Sequence, residues 1–309
     1  MSPTTVGLIG LAVLVIALFS RMPVGFVMAL LGVLGFGYVV SWNAGLSILA
    51  KDIFGVFGSY SLTVIPLFML MGQITFHAGI SRRLFDAAYV MLGHLPGGLA
   101  VATVAACAGF AAICGSTNAA AATMATVAIP EMKRYRYGMV LATGTVAAGG
   151  SLGILIPPSV IFIVYGIQTE QSIGKLFIAG ITPGILLAVL FTLTIYLWVK
   201  RHPEIAPRGT KTTFKNKLIS LAGVLETLLL FVLVMGGLFL GFFTPTEAGA
   251  IGAGGAIILG FLRRRLSWKG FLQAITESTR ISCMVMVIVA GATVYGHFLA
   301  ITRIPYALA

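Results

Sequence analysis

Charge is what this chain most lacks. Only 9% of its 309 residues are Asp, Glu, Lys or Arg, where a soluble domain carries about a quarter. Hydrophobic residues make up 59%, and the mean hydropathy is +1.04. A water-soluble globular fold is excluded, and an all-α polytopic membrane protein is implied. Acids are the scarcest: 8 Asp and Glu against 20 Lys and Arg give a net charge of +12. No nucleic-acid-binding motif accompanies the excess, so no nucleic acid is expected as a partner, and the basic residues report topology in the lipid bilayer instead. Cysteine is limited to Cys107, Cys114 and Cys283, all in apolar segments. That argues against disulfides and thiolate metal sites, and for cysteines packed as small hydrophobes. His77, His94, His202 and His297 lack metal-ligand spacing, and no G-x-S-x-G, H-E-x-x-H or Walker pattern occurs, so the chain is not expected to be an enzyme. The first apolar segment is followed by Arg21-Met22-Pro23 and not by a small-residue cleavage site, so no cleavable leader is expected.

Apolar segments are present in plenty, at about 3–19, 23–40, 59–78, 138–166, 176–199, 218–243, 245–262 and 281–301. Between the third and fourth lies a different kind of stretch. The 34 residues 97–130 hold no charge, yet carry Cys114-Gly115-Ser116-Thr117-Asn118 at their middle. One span of a ~30 Å hydrocarbon layer takes ~20 residues, and two spans with a turn take more than ~40. The length fits a re-entrant hairpin of two arms, each ~15 residues or ~22 Å long, meeting at a polar tip. Irregular backbone at such depth is tolerated only where protein buries it or it lines a cavity.

Three pieces at 41–58, 81–95 and 263–280 mix charges with aromatic or aliphatic residues (Trp42 and Lys51; Arg82, Arg83 and Phe85; Trp268, Lys269 and Phe271). They are expected as helices lying along the membrane interface. Residues 200–217 form a polar extramembrane loop. With the N-terminus outside and the hairpin entering and leaving on one side, every Lys and Arg except Lys51, Lys175 and Arg303 falls inside, Arg208 and Lys211 of the loop included. A hairpin that crossed fully would put Arg82 and Arg83 opposite Lys133, Arg134 and Arg136, against the positive-inside rule.

The order of elements also begins to repeat. Arg21-Met22-Pro23-Val24-Gly25 before a Gly- and Leu-rich helix parallels Thr244-Pro245-Thr246-Glu247-Ala248-Gly249 before another. An odd number of spans separates the two, so the second copy runs upside down. Inverted repeats of this kind, with binding sites near the midplane at discontinuous helices, are typical of secondary transporters. The expected division is a first repeat over 1–222 (scaffold spans 1–78, interfacial helix 81–95, hairpin 97–130, broken helix 138–166, span 176–199, cytoplasmic loop 200–217) and the start of a second over 223–309. The second copy would lack its own hairpin, which suggests a whole of about 430 residues by the same repeat logic.

Two breaks carry the candidate chemistry. At the hairpin tip, Ser116, Thr117 and Asn118 are helix N-cap types. The positive end of the arm they begin favours an anionic group. The first arm, ending near Ile113–Gly115, offers carbonyls to a small hard cation such as Na⁺. The competing reading of the tip is a small-residue helix contact. The second break is Gly149-Gly150-Ser151-Leu152-Gly153-Ile154-Leu155-Ile156-Pro157-Pro158-Ser159. Its prolines and glycines cannot continue a regular helix, which frees carbonyls at Gly153, Leu155 and Ile156; a kinked packing helix is the alternative. Glu226, about a turn into an apolar segment, either serves transport, is solvated at the interface, or pairs with a basic group on a partner. Glu247 is expected in the first turn of a helix.

With these residues in place, the chain resembles the large membrane subunit of TRAP (tripartite ATP-independent periplasmic) transporters. The matching stretches are Phe110-Ala-Ala-Ile-Cys-Gly-Ser116, Ala128-Ile-Pro-Glu-Met-Lys133, Leu141 through Ser159, Glu170-Gln-Ser-Ile-Gly-Lys-Leu-Phe177 and Phe243-Thr-Pro-Thr-Glu-Ala248. The resemblance implies an elevator-type, Na⁺-driven importer of organic acids in a bacterial inner membrane, with its N-terminus periplasmic. It implies two protein partners, a small four-helix membrane subunit and a periplasmic substrate-binding protein. By motif match, Na⁺ is expected at Gly115, Ser116 and Asn118 on one side and Gly153, Ile156 and Pro158 on the other. Substrate is expected at Ser116, Thr117, Asn118, Ser151 and Ser159. The hairpin and broken helix would form the moving body, and the interfacial helices and outer spans its scaffold. Family members often carry Ser-Gly-Ser at the tip, where this chain has Cys114-Gly115-Ser116, so a side-chain hydroxyl is lost at 114 while the backbone carbonyl survives. A single-component Na⁺/anion symporter of related fold is the alternative.

Overall fold

The computed structural model describes residues 2–207, 209 and 212–304, so Arg208, Lys211 and the end of the expected second repeat (305–309) lie outside the described residues. Among the described residues the regular structure is helical throughout: α1 Pro3–Leu18, α2 Val24–Val39, α3 Trp42–Phe57, α4 Val64–His77, α5 Ile80–Leu92, α6 Gly98–Cys114, α7 Thr117–Arg134, α8 Met139–Gly150, α9 Leu152–Leu155, α10 Val160–Gln168, α11 Ile173–Arg201, α12 Phe214–Ala222, α13 Leu225–Phe239, α14 Pro245–Leu262 and α15 Trp268–Ile301. Large apolar side chains point outward along many of them, Ile16, Ile185, Leu229 and Ile258 among them. In water such a surface would aggregate; in lipid it is the solvated face. The chain is a polytopic helical membrane protein.

Four stretches are long and apolar enough to cross a bilayer on their own: Met139–Gln168, α11, α14 and α15. Helices α1, α2 and α6 and the Leu228–Phe239 part of α13 are apolar but shorter. The expected segments 3–19 and 23–40 become α1 and α2 almost in full, as helices of 16 residues each, whereas the expected span 218–243 divides at Gly223-Val224 between α12 and α13.

Two expected boundaries move. The third interfacial piece is no separate helix: α15 runs unbroken from Trp268 through Arg280 to Ile301. No proline interrupts it, and its first glycine after Gly270 is Gly291, so nothing in the backbone stops the helix where the charges stop. The second hairpin arm likewise continues past Pro130 to Arg134. One proline removes one donor from the ladder, and Glu131, Lys133 and Arg134 mark the end of the apolar layer without ending the helix.

The chain forms two compact units, residues 1–62 with 280–309 and residues 63–279. In the first, α2 meets the later part of α15 through glycine. A methyl on Gly25 would come within 2.7 Å of the Val287 carbonyl oxygen, and one on Gly32 within 2.9 Å of the Tyr295 nitrogen. Close backbone approach over small residues is how membrane helices gain packing contacts without a hydrophobic drive. In the second unit α6 is the central element, packed by α4, α5, α7, α8, α9 and α11. Its flank is buried from Leu99 to Cys114, with Phe110, Cys107 and Ala111 fully enclosed. Cys107 and Cys114 are packed as small core residues, whereas Cys283 is exposed; all three are free.

Tyr137 ties this core to the loop after α11, because its hydroxyl accepts from the Leu99 amide at 3.2 Å and donates to the Pro207 carbonyl at 3.1 Å. Glu226 pairs within this chain, with Arg263 at 2.6 Å and Arg265 at 3.0 Å. Glu247 sits in the first turn of α14, completing a capping box with Thr244.

Candidate functional site

The tip is built by three residues. Gly115 adopts left-handed backbone (φ +59°) and returns its N–H to the Ala111 carbonyl at 3.0 Å, which ends α6. Ser116 is extended and caps α7, its hydroxyl accepting from the Ala119 amide at 3.4 Å. The Cys114 thiol turns back on the same loop and donates to the Ser116 carbonyl at 3.5 Å.

The second break is longer. After α8, Ser151 leads into the single turn Leu152–Leu155; then Ile156 becomes extended, a cis bond joins Pro157 to Pro158, and α10 starts at Val160. Ser159 occupies the N-cap position of α10 but makes no cap hydrogen bond.

These two breaks touch. A methyl at Gly115 would collide with the Pro158 carbonyl oxygen, and one at Gly153 would lie 2.9 Å from both the Ser116 carbonyl carbon and the Thr117 nitrogen. The Val160 amide approaches the Gly115 carbonyl at 3.4 Å. Three helix ends therefore meet: the C-terminus of α6, whose Gly115 carbonyl takes the Val160 amide, and the N-termini of α7 and α10. The α6 end is suited to a cation and the α7 and α10 ends to an anion. Two hydroxyls stand beside the junction without a hydrogen-bond partner among the described residues, Thr117 Oγ1 and the fully buried Ser159 Oγ. Buried hydroxyls are mostly satisfied, so an orphaned pair at converging helix ends makes this junction the candidate site, although Thr145 Oγ1 and Tyr295 OH are orphaned elsewhere among the described residues.

Gly115, Ser116, Thr117, Gly153, Pro158 and Ser159 are thus brought together. The other named positions are placed differently. Asn118 is exposed on the first turn of α7. Ser151 spends its hydroxyl on the Ala148 carbonyl at 2.7 Å. Ile156 lies toward α11: a methyl on Gly184 would meet its Cγ1 at 2.9 Å, and its amide bonds Leu152 at 2.9 Å. The Leu155 carbonyl also faces α11, 2.6 Å from where a methyl on Gly180 would sit.

Sequence reasoning missed α4. Gly72 lets α4 approach the tip so closely that a methyl there would stand 2.7 Å from the Cys114 Cα. Next to it, Gln73 borders a cavity of about 260 Å³ that also reaches Ser116, Thr123, Thr126 and Glu277. Glu277 itself lies 3.3 Å from His77 Nε2. The available signal was a Gly-Gln pair interrupting the apolar run Leu67-Phe68-Met69-Leu70-Met71, which reads otherwise as an ordinary span.

A hairpin tip that abuts a broken helix is the kind of discontinuity at which secondary transporters place their binding sites. The family described as "Tripartite ATP-independent periplasmic transporter, DctM component" matches residues 11–309, and the chain belongs to that family. It is 39% identical over 84% of its length to the C4-dicarboxylate TRAP transporter large permease protein DctM of Pseudomonas aeruginosa, covering 61% of that protein. It is 32% identical over 94% of its length to the sialic acid TRAP transporter large permease protein SiaM of Vibrio cholerae, covering 68% of it. It is 34% identical over 84% of its length to the 2,3-diketo-L-gulonate TRAP transporter large permease protein YiaN of Escherichia coli, covering 60% of it. The chain therefore spans about three fifths of the length of the first of these relatives.

Proposed function

We propose that this chain supplies the first ion- and substrate-binding half of a Na⁺-coupled importer of organic acids. It acts in the bacterial inner membrane with a small four-helix membrane subunit and a periplasmic substrate-binding protein that delivers the solute. The observation that carries this reading is the contact of Gly115 with Pro158 and of Gly153 with Ser116 and Thr117, beside the orphaned hydroxyls of Thr117 and Ser159. Na⁺, as cargo, prefers a cage of uncharged oxygens; the tip and break provide carbonyls and hydroxyls there. The amide ends of α7 and α10 favour the carboxylate. Relatives named for C4-dicarboxylate, sialic acid and 2,3-diketo-L-gulonate are all named for organic acids.

Mechanistically, Na⁺ bound among these oxygens offsets the carbonyl dipoles and holds the tip against the broken helix, so that the carboxylate meets an ordered α7 terminus. The hairpin and the Met139–Gln168 segment then move as one body across the membrane, with the N-terminus of the chain on the periplasmic side, the orientation that the Lys and Arg distribution supports.

The test is uptake of a labelled organic acid by the complete transporter in proteoliposomes. Uptake is expected to need both a Na⁺ gradient and added binding protein. Transport that proceeds unchanged without the gradient removes the ion coupling, and transport that ignores the binding protein favours a single-component symporter.

A further inference from the structure

We propose that Gln73 is a specificity-determining residue that reads an uncharged hydroxyl or carbonyl group on the substrate, so that the site selects hydroxy- or oxo-carboxylates over their unsubstituted counterparts. The inference rests on the reading of the tip as the carboxylate site and extends it to the other end of the solute.

Gln73 is 8% exposed, on the buried face of α4 between Gly72 and Ile74. Its primary amide carries two donors and a carbonyl acceptor, and none of them has a hydrogen-bond partner among the described residues. Its neighbours show what satisfaction looks like here: the Thr75 hydroxyl donates to the Met71 carbonyl at 2.6 Å and the Thr126 hydroxyl to the Thr123 carbonyl at 2.8 Å. Gln73 instead borders the roughly 260 Å³ cavity whose lining includes Ser116 at the start of α7. A solute whose carboxylate sits at that positive helix end extends toward the amide.

The charge of the lining decides what the amide meets. No Lys or Arg is among the lining residues, and the single charged group is Glu277. A second carboxylate at this end would face an acid and, at best, a His already engaged by it at 3.3 Å. A hydroxyl can donate to the acid while bonding the amide, whereas a keto oxygen can accept only from the amide N–H. The Gln73 amide is not among the closed-off polar atoms and so faces the cavity, where a solute that displaces water and leaves it unpaired binds more weakly than one that pairs with it.

The experiment is equilibrium binding to the complete, purified membrane transporter in NaCl, using matched monocarboxylate probes: lactate against propionate, and gluconate against hexanoate. In the unmodified protein at least one hydroxylated member is expected to bind about tenfold or more tightly than its partner. Gln73→Leu should collapse that ratio toward one, while Gln73→Asn, which keeps an amide, should retain part of it and confirm that the helix still folds. A complete absence of hydroxyl-dependent discrimination in the unmodified protein overturns the proposal, as does a ratio that survives Gln73→Leu. Ser116→Ala separates the two readings: it should weaken both members of a pair equally and leave the ratio intact. If it weakens neither, the carboxylate placement fails while the Gln73 ratio still stands or falls by itself.

Discussion

The two breaks that meet at the site are made differently. The hairpin tip is short and internally satisfied: one left-handed glycine ends α6, and the Ser116 hydroxyl caps α7. The break between α9 and α10 is longer: Ser159 holds the equivalent position before α10, yet its hydroxyl makes no cap bond and is buried without a partner among the described residues. A cap that is used contributes to folding; one that is withheld is available to a ligand. The same residue type caps a helix at 116, while at 159 its hydroxyl has no partner among the described residues.

The strongest way to break this pairing is Gly115→Ala. A left-handed non-glycine residue costs about 1–2 kcal/mol, and the added methyl also collides with the Pro158 carbonyl. Uptake should fall below detection, and fluorescence-detected gel filtration should show loss of the monodisperse peak. Gly153→Ala is milder, because its methyl would stand 2.9 Å from the Ser116 and Thr117 backbone and could be relieved by a small separation of tip and break. Folded protein is expected with uptake reduced about tenfold, the cost of roughly 1.4 kcal/mol in site assembly.

The comparison is sharpest between the two serines. Ser116→Ala should lower unfolding stability by about 1 kcal/mol, the usual loss for a cap, in a thermal or denaturant melt. Ser159→Ala should not lower it at all, since removing an unsatisfied buried hydroxyl leaves no partner stranded. It should instead raise the Na⁺ concentration needed for half-maximal uptake. Equal melting behaviour of the two variants would erase the distinction drawn between the breaks. The smallest effect belongs to a residue away from both: Tyr137→Phe removes hydrogen bonds to Leu99 and Pro207 and should cost about 1 kcal/mol of stability with the Na⁺ dependence unchanged.

Much of this was legible in the chain. The charge-free stretch around Cys114-Gly115-Ser116 announced the hairpin, and the glycines and prolines between Gly149 and Ser159 announced the second break. Both signals are local: a glycine that must turn, a proline that cannot donate. Helix ends inside apolar runs were harder to place, as α15 shows, because charge marks the water boundary and only backbone chemistry marks the end of a helix. Glu226 left three readings open in the sequence; its pairing with Arg263 and Arg265 of its own chain is none of these three, and no local pattern showed it.

Composition and the spacing of polar residues fixed that this is a helical membrane protein with two polar interruptions, because burying unpaired backbone in lipid is so costly that only a few patterns survive. Which of those interrupted groups face one another was settled by packing alone. Gly153 turns toward the tip while Leu155 and Ile156 turn toward α11, and Gln73 arrives from a helix some forty residues earlier through the clearance at Gly72. Side-chain direction in a short, irregular turn depends on what presses against it, and no reading along one strand of sequence contains that information.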